Sequence, residues 1–374
     1  MTIQRGVSLY SYQQSQFIKR LNLQQMIEEV GSNLYGANGI ELVDEMSLRY
    51  PDPGEAFVRE WFGWHEKYGT RPVAMDVGMD VLQFRDHVMT YEECAERLKS
   101  DIRLAKRLGF TNVRTLSVVP IEIIEMALPL AESLDIKLGK EIHQPMTLEG
   151  VEVTQILDLV ERTGTSHLGI VPDLGIFQFR PSEVLLEWLE RKGAQPSASE
   201  ASVELALMVR DGGAAYEHFK VSKQTAGNIR AAFGSFVQTG VVAPGLKDAF
   251  QGVKEFTEIK VENPQAIDYR TVAEALMMSH TSLDALRDLV PQITHIHGKF
   301  NYMSEVPGSV GEFTEISIDY PGVIGALKAG GYLGYINSEY EGQRYFQDRG
   351  LEGIKDEVDQ VRRHQAMLVK LIGA

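Results

Sequence analysis

Short apolar runs alternate with longer amphipathic runs along nearly the whole chain. The short runs are rich in Val, Ile, Leu and aromatic residues, and several are too continuously apolar for a sheet with one solvated face. Such runs predict strands that are buried on both faces. Eight of them are found, beginning at Gly6, Gly39, Arg71, Asn112, Ile136, His167, Ile293 and Tyr335.

Helical segments separate these strands, and a final helix, DEVDQVRRHQAMLVKLIGA, follows the eighth. One helix start carries a capping box, in which Thr90 and Glu93 satisfy free backbone amides of the first turn. Parallel strands need crossover connections, and helices are the usual crossover. Eight such units predict an α/β protein with a closed (β/α)₈ TIM barrel, and an open doubly wound sheet is the alternative.

The interval from Pro181 to Pro291 breaks this alternation, because it contains no convincing strand. Its helix-like segments are VLLEWLERK, ASVELALMVRD, TAGNIRAAFGSFV, DAFQGVKEF and DYRTVAEALMMSH. Residues 1–374 are therefore expected to form a single barrel domain, with a helical elaboration over residues 181–291 after strand six. The elaboration is expected to cover one side of the barrel mouth or to form a subunit contact, and QPSASEAS, from Gln195, to be a mobile link.

The formal net charge of the 374-residue chain is −15. A surface this acidic repels phosphate backbones and anionic lipid, so nucleic acids and membrane surfaces are not expected as partners. No apolar stretch approaches the ~20 residues of a membrane span and the N-terminus shows no signal-peptide pattern, so a cytoplasmic protein is expected. The one cysteine, Cys94, excludes an intrachain disulfide and a cysteine-only zinc site. Surface positions are expected for four histidines in helical or loop surroundings, His65, His87, His218 and His364.

Titratable side chains gather at the ends of four successive strands, where a barrel places its active site. They are Glu141 and His143 on strand five, Asp173 on strand six, His295 and His297 on strand seven, and Glu339 and Glu341 on strand eight. Residues two apart on a strand share a face, so both members of each pair can point inward. Several buried carboxylates without a cation would be forced to take up protons, and a divalent metal removes that cost. Any one of these acids can instead be a helix cap or a salt-bridge partner.

A donor set of Glu, Asp, His and Glu suits Mn²⁺ or Mg²⁺, with Co²⁺, Fe²⁺ or Zn²⁺ as alternatives. A metal that polarises a ketone or aldehyde lowers the pKa of the adjacent C–H, and a nearby base removes the proton. We expect His143 to be this base, or otherwise a hydrogen-bond donor to substrate hydroxyls. Lys299 can steady a developing oxyanion or pair with a carboxylate. His295 and Glu341 are candidate substrate-binding residues, and His295 can instead be a buried residue that orients a ligand.

At these residues the sequence resembles the xylose isomerase-like superfamily of sugar isomerases and epimerases, whose fold is a TIM barrel. The resemblance runs in order over nearly the whole chain and implies a metal quartet of Glu141, Asp173, His297 and Glu339. Several stretches are more similar still to the large (alpha) subunit of bacterial C-glycoside deglycosidases. They are RGVSLYSYQ, GIELVDEM, KLGKEIHQPM, HLGIVPDLGIFQFRP and ITHIHGKF.

This second resemblance implies a substrate, a reaction and a partner. Enzymes of that group act on a C-glucoside already oxidised to its 3-keto form, with a metal at the ketone and a neighbouring oxygen. A base removes the C2 proton, and the enolate expels the aglycone carbon at C1; His143, within EIHQP, matches the position of that base. A small all-β partner subunit is also implied, and an oligomer is expected because barrel enzymes of this kind often associate.

Other functions use the same residues or the same fold. A sugar isomerase or epimerase also begins with α-proton removal, so the same four ligands would serve it. Strand seven continues as Gly298-Lys299-Phe300, without the Gly-Glu-rich continuation of several ketose epimerases, which disfavours a free-ketose epimerase. A non-catalytic sugar-binding barrel would have no reason to gather three buried carboxylates. A phosphodiesterase of the endonuclease type would need more histidines at the strand ends and a basic groove.

Overall fold

The computed structural model describes residues 2–210, 226–242 and 244–373, and its centre is a ring of eight parallel strands. The strands of the ring are β1 Gln4–Ser8, β2 Gly39–Val43, β3 Arg71–Val77, β4 Asn112–Thr115, β5 Lys137–Ile142, β6 Leu168–Pro172, β7 Ile296–Phe300 and β10 Tyr335–Tyr340. A two-stranded hairpin, β8 Ser304–Glu305 and β9 Phe313–Thr314, lies outside it.

The ring is closed between β6 and β7, which stand at the two ends of the hydrogen-bonded strand order. Two parallel bridges, Ile170 to Ile293 and Asp173 to His297, join these strands. This closure confirms the predicted TIM barrel and excludes the open doubly wound sheet. Every residue of β4, β6 and β7 is buried, as expected for strands covered on both faces.

Helices surround the ring, and they follow the predicted alternation with the strands. Their bounds are α1 Gln13–Phe17, α2 Leu23–Asn33, α3 Asp44–Ser47, α4 Gly54–Tyr68, α5 Tyr91–Arg107, α6 Ile121–Ser133, α7 Val151–Thr163, α8 Glu183–Arg191, α9 Pro196–Arg210, α10 Ala226–Thr239, α11 Lys247–Lys260, α12 Ala266–Ala273, α13 Leu283–Asp288, α14 Tyr320–Ala329 and α15 Glu357–Ile372. The predicted capping box at Thr90 and Glu93 begins α5. Within the described ranges, no helix is both long and apolar enough to span a membrane.

Six helices, α8 to α13, lie between β6 and β7 in the described part of the chain. Four of them, α9 to α12, share a hydrophobic cluster that includes Leu205, Phe250 and Val272. The predicted mobile link at Gln195 is wrong, because α9 begins at Pro196 and Asp268 accepts hydrogen bonds from the backbone and side-chain amides of Gln195. The assignment of residues 1–374 to one domain, with residues 181–291 as its elaboration, stays a prediction.

Two of the histidines expected on the surface are buried instead. His65 lies 2.8 Å from the Thr70 hydroxyl, and His364 stacks on Phe300 with its Nδ1 2.7 Å from the Ser338 hydroxyl. Both sit on the faces of their helices that pack inward, which the local sequence did not reveal. His87 is exposed as expected, and His218 lies outside the described residues.

The buried imidazole of His364 makes stability depend on pH. Burial lowers the pKa of His364 to about 3. The folded state therefore binds fewer protons than the unfolded state between pH 3 and 6.5, so stability is lost as the pH falls below 6.5. We expect the free energy of unfolding of the wild type, relative to His364→Phe, to fall by about 1.4 kcal/mol per pH unit in that range.

Urea unfolding at a series of pH values measures this difference, because the other titrating groups contribute equally to the free energies of unfolding of the two proteins. His87→Phe is the matched control at an exposed histidine, where hydrogen bonds to the carboxylates of Glu93 and Asp86 raise the pKa of His87 instead. This control should show no loss of relative wild-type stability on acidification. A pH-independent difference for His364→Phe would contradict the assignment of a buried neutral imidazole.

Candidate active site

The structure brings the four residues of the predicted metal quartet to one rim of the barrel. His297 Nδ1 lies 3.2 Å from Glu141 Oε1 and 3.3 Å from Glu339 Oε2. A parallel backbone bridge joins Asp173 to His297 across the closure of the ring. Potential ligand atoms of Glu141, Asp173 and His297 all lie within 4.8 Å of one another. These three side chains can therefore reach one ion, and Glu339 lies beside the same nitrogen of His297.

The donor atoms of this cluster fit a divalent cation. Asp173 Oδ2 and both ring nitrogens of His297 are buried and make no hydrogen bond within the described ranges. Charged groups approach these atoms, but buried polar atoms that lack a hydrogen bond are costly, so the atoms point to a ligand that satisfies them. A mixed oxygen and imidazole set of this kind accommodates several divalent metals and does not distinguish among them.

The charges around the cluster favour a bound cation. Burial raises the pKa of Glu339 to about 7, and Asp173 and Glu341 add to the rise, although His297 opposes it. Burial would also raise the pKa of Glu141, but Arg114 and His297 hold it well below its usual range. The carboxylates in turn raise the pKa of His297 although burial opposes this. The cluster thus attracts positive charge, which a bound metal supplies in place of a ring proton.

His143 lies beside this cluster, just beyond the end of β5. Its Nδ1 is 2.7 Å from the Gln144 carbonyl, which can only accept, so Nδ1 carries the proton. Its Nε2 is 2.8 Å from Lys299 Nζ and accepts from that ammonium group. The imidazole is therefore neutral in this arrangement, with its basic nitrogen directed toward Lys299.

Lys299 connects His143 to the carboxylates. Its Nζ lies 2.6 Å from Glu341 Oε2 and 3.5 Å from Asp173 Oδ2. Burial alone would lower the pKa of Lys299, but Asp173 and Glu341 outweigh it and raise the pKa, so the side chain remains an ammonium ion. Glu341 is also held by Arg344 at 2.6 Å. The predicted residues His143, Lys299 and Glu341 thus form one hydrogen-bonded chain next to Asp173.

Sequence reasoning missed a second charged layer below the quartet, formed by Glu41 on β2, Asp76 on β3 and Arg114 on β4. Glu41 Oε1 lies 3.0 Å from His297 Nε2, and Arg114 lies 3.0 Å from Asp76 and 3.6 Å from Glu141. Burial would raise the pKa of Glu41, but the neighbouring imidazoles of His297 and His295 outweigh burial and lower it well below its usual range. A charged residue inside an otherwise apolar strand, as in GIELV and VAMDV, is the sequence signal that could have revealed this layer.

His295 also lies in this lower layer. It is fully buried, its Nε2 is 3.2 Å from Glu41 Oε2, and it does not line the cavity above the quartet. This position fits the alternative that His295 orients other residues, and it gives no support to direct contact with a substrate.

A cavity of about 430 Å³ opens above the quartet and is large enough for a sugar ring. Its polar wall carries Asp76, Arg114, Glu141, His143, Asp173, Glu339 and Glu341, and its apolar wall carries Tyr10, Val43, Met46, Val77 and Leu116. A smaller cavity of about 150 Å³ shares His143 and Glu341 with it. A larger cavity of about 640 Å³ lies along α8 and α9, away from the strand ends and from the acid–imidazole cluster, so it is not the candidate site.

Comparison with known sequences gives relatives of one kind. The C-glycoside deglycosidase alpha subunit of Arthrobacter globiformis is 26% identical over 372 residues, which cover 99% of this chain and 92% of that protein. The 3'-dehydrocarminate deglycosidase alpha subunit of a Microbacterium species is 26% identical over 340 residues, covering 90% and 88% of the two chains. No protein-family model matches the chain.

Comparison with solved structures shows the fold. An L-ribulose 3-epimerase matches with a TM-score of 0.50 at 12% identity, covering 99% of this chain and 95% of its own. The IolI protein, solved with a zinc atom, matches with a TM-score of 0.52 at 12% identity, covering 100% and 98%. The chain thus has the xylose isomerase-like TIM-barrel fold of sugar epimerases and isomerases, and its curated relatives are enzymes named as C-glycoside deglycosidase alpha subunits.

Proposed function

We propose that this chain is the catalytic alpha subunit of a metal-dependent C-glycoside deglycosidase. In this proposal it is a carbon–carbon lyase that cleaves the C1–aglycone bond of a 3-oxo-C-glucoside. The observation that carries the proposal is the position of the His143 imidazole, beside a buried acid–imidazole cluster on the wall of a sugar-sized cavity. The names of the relatives select this reaction from those that the same site can support.

The cluster of Glu141, Asp173, His297 and Glu339 would hold the metal, with Mn²⁺ the first choice. When bound, a divalent cation polarises the substrate ketone and so makes the neighbouring C–H more acidic. These residues lie on the polar wall of the cavity, within reach of a sugar, except for His297, which is fully buried behind them.

His143 is positioned to take the C2 proton, because its Nε2 carries the lone pair. The C2–H electrons form the enolate with C3; when the C3 carbonyl reforms, a C1=C2 double bond forms and the C1–aglycone bond breaks. The aglycone carbon leaves with that electron pair and takes up a proton, which the imidazolium of His143 can return. Lys299 is close enough to turn an N–H from His143 toward oxygen on which negative charge develops.

A sugar isomerase or epimerase is the second candidate function. The fold neighbour L-ribulose 3-epimerase shows that this barrel also serves such enzymes. The first step is the same proton removal, and only the fate of the enolate differs. We favour the lyase because the curated relatives over nearly the whole chain carry the deglycosidase name. The words "alpha subunit" in that name support a partner subunit, and we propose that the partner is a small all-β chain in a hetero-oligomer.

Incubation with a 3-oxo-C-glucoside and Mn²⁺ tests the proposed reaction. We expect free aglycone to be released by the chain, alone or with a co-expressed small subunit, and to be detected by chromatography with mass spectrometry. An epimerised or isomerised sugar with its aglycone still attached would instead support the second candidate. If neither product forms under either condition, the proposed function is wrong.

Replacing the proposed base separates proton removal from metal binding. His143→Ala should lower the rate of C2 hydrogen exchange in deuterated water by roughly 10²–10⁴-fold, because it removes the general base. The variant should keep the fold and bind Mn²⁺ as the wild type does, since the quartet is intact. NMR of the substrate measures the exchange, and titration with Mn²⁺ provides the control. Exchange at the wild-type rate would remove His143 from the role of base.

A further inference from the structure

We propose that Glu41 is a positioning residue for the metal site: its carboxylate holds the proton of His297 on Nε2, so that Nδ1 presents its lone pair to the ion. This inference rests on the proposed function, because it assumes an ion on the cavity side of His297. It gives a role to a fully buried carboxylate that the proposed reaction does not itself use.

The imidazole of His297 lies between two sets of carboxylates. Its Nδ1 faces Glu141 at 3.2 Å and Glu339 at 3.3 Å, on the side of the cavity. Its Nε2 faces the fully buried Glu41 at 3.0 Å, and Asp76, which also lines the cavity, lies farther away at 3.8 Å. Both acids at Nδ1 line the cavity, whereas Glu41, the nearest acid at Nε2, does not, so a catalytic ion belongs at Nδ1.

An imidazole that binds a metal through one nitrogen is neutral and carries its proton on the other nitrogen. For His297 that other nitrogen is Nε2, and the nearest acceptor is Glu41 Oε1. Glu41 is fixed in place by Asn337, which donates to Oε2 at 2.7 Å, and by His295 at 3.2 Å. The 3.0 Å between Glu41 Oε1 and His297 Nε2 is the length of a hydrogen bond, although the present orientation of the two groups does not complete one.

The lower layer can also be considered as a metal site of its own. Ligand atoms of Glu41, Asp76, His295 and His297 lie within 4.8 Å of one another. The Arg114 guanidinium, however, already pairs with Asp76 at 3.0 Å and supplies positive charge there. Glu41 and His295 are absent from the cavity wall, so an ion between them would not meet a substrate. The geometry therefore favours one ion above His297 and a carboxylate partner below it.

Mn²⁺ titration of the metal-free protein by calorimetry tests the proposal. We expect the wild type to bind one ion per chain and Glu41→Ala to bind it roughly 10–100-fold more weakly, the usual effect of losing the partner of a metal-bound histidine. Glu357→Gln is the matched control, because it removes another fully buried carboxylate that does not contact His297. Its Mn²⁺ affinity should be that of the wild type.

A double-mutant cycle shows whether Glu41 acts through His297. In a His297→Asn background, the further change Glu41→Ala should weaken Mn²⁺ binding little, because the residue to be positioned is already gone. An equal loss in both backgrounds would mean a long-range effect of charge and would overturn the proposal. An unchanged Mn²⁺ affinity of Glu41→Ala would also overturn the proposal. The same holds if the wild type binds two ions and Glu41→Ala loses one of them.

Two further outcomes are distinguishable. A wild type that binds no divalent ion would contradict the proposed function itself, and the role of Glu41 with it. If Glu41→Ala does not fold, Glu41→Gln replaces it, since the amide oxygen still accepts from Nε2–H. Circular dichroism checks the fold. Folded Glu41→Gln should lose less than about tenfold in Mn²⁺ affinity, and complete loss of binding would overturn the proposal.

Discussion

The barrel mouth buries many negative charges beside few positive ones, and the rest of the site depends on how that charge is balanced. Six carboxylates are buried there: Glu41, Asp76, Glu141, Asp173, Glu339 and Glu341. Within the described ranges, the lysine and arginine side chains buried among them are those of Arg114 and Lys299. Ionised carboxylates lose their hydration in the interior and repel one another, so the arrangement is costly without further positive charge. A divalent ion held by the quartet would supply that charge where a substrate can reach it.

Lys299 joins the two functional halves of the site. It lies 2.8 Å from the nitrogen of the proposed base and 3.5 Å from a carboxylate of the proposed metal quartet. Because its ammonium stays charged, the same side chain can donate to the ring of His143 and to an oxygen that gains negative charge. The closed ring fixes β7 between β6 and β10, and this topology sets the relative positions of base and metal ligands.

The sequence predicted the barrel and the upper layer of the site for a physical reason. Strand periodicity places residues two apart on one face, and the end of a barrel strand faces the active site, so His143 and Glu341 could be assigned to the mouth. Glu41 and Asp76 were missed because each stands inside an apolar run. The charge in such a run signals a buried polar site, but its partners lie on other strands and are found only in the structure. The burial of His364 depends on packing against Phe300, a contact between distant segments. The Ser- and Ala-rich start of α9 is compatible with a linker or a helix. The hydrogen bond from the Gln195 amide to Asp268, a residue distant in sequence, holds this segment at the start of the helix.

The most direct measurement is the anomalous scattering of crystals grown with Mn²⁺ and recorded on both sides of the manganese absorption edge. The account predicts one manganese peak per chain, bound by His297 Nδ1 with carboxylate oxygens of Glu141, Asp173 and Glu339, and no such peak in Glu141→Ala. A wild-type crystal without a manganese peak, or with its manganese at Glu41 on the Nε2 side of His297, would contradict it.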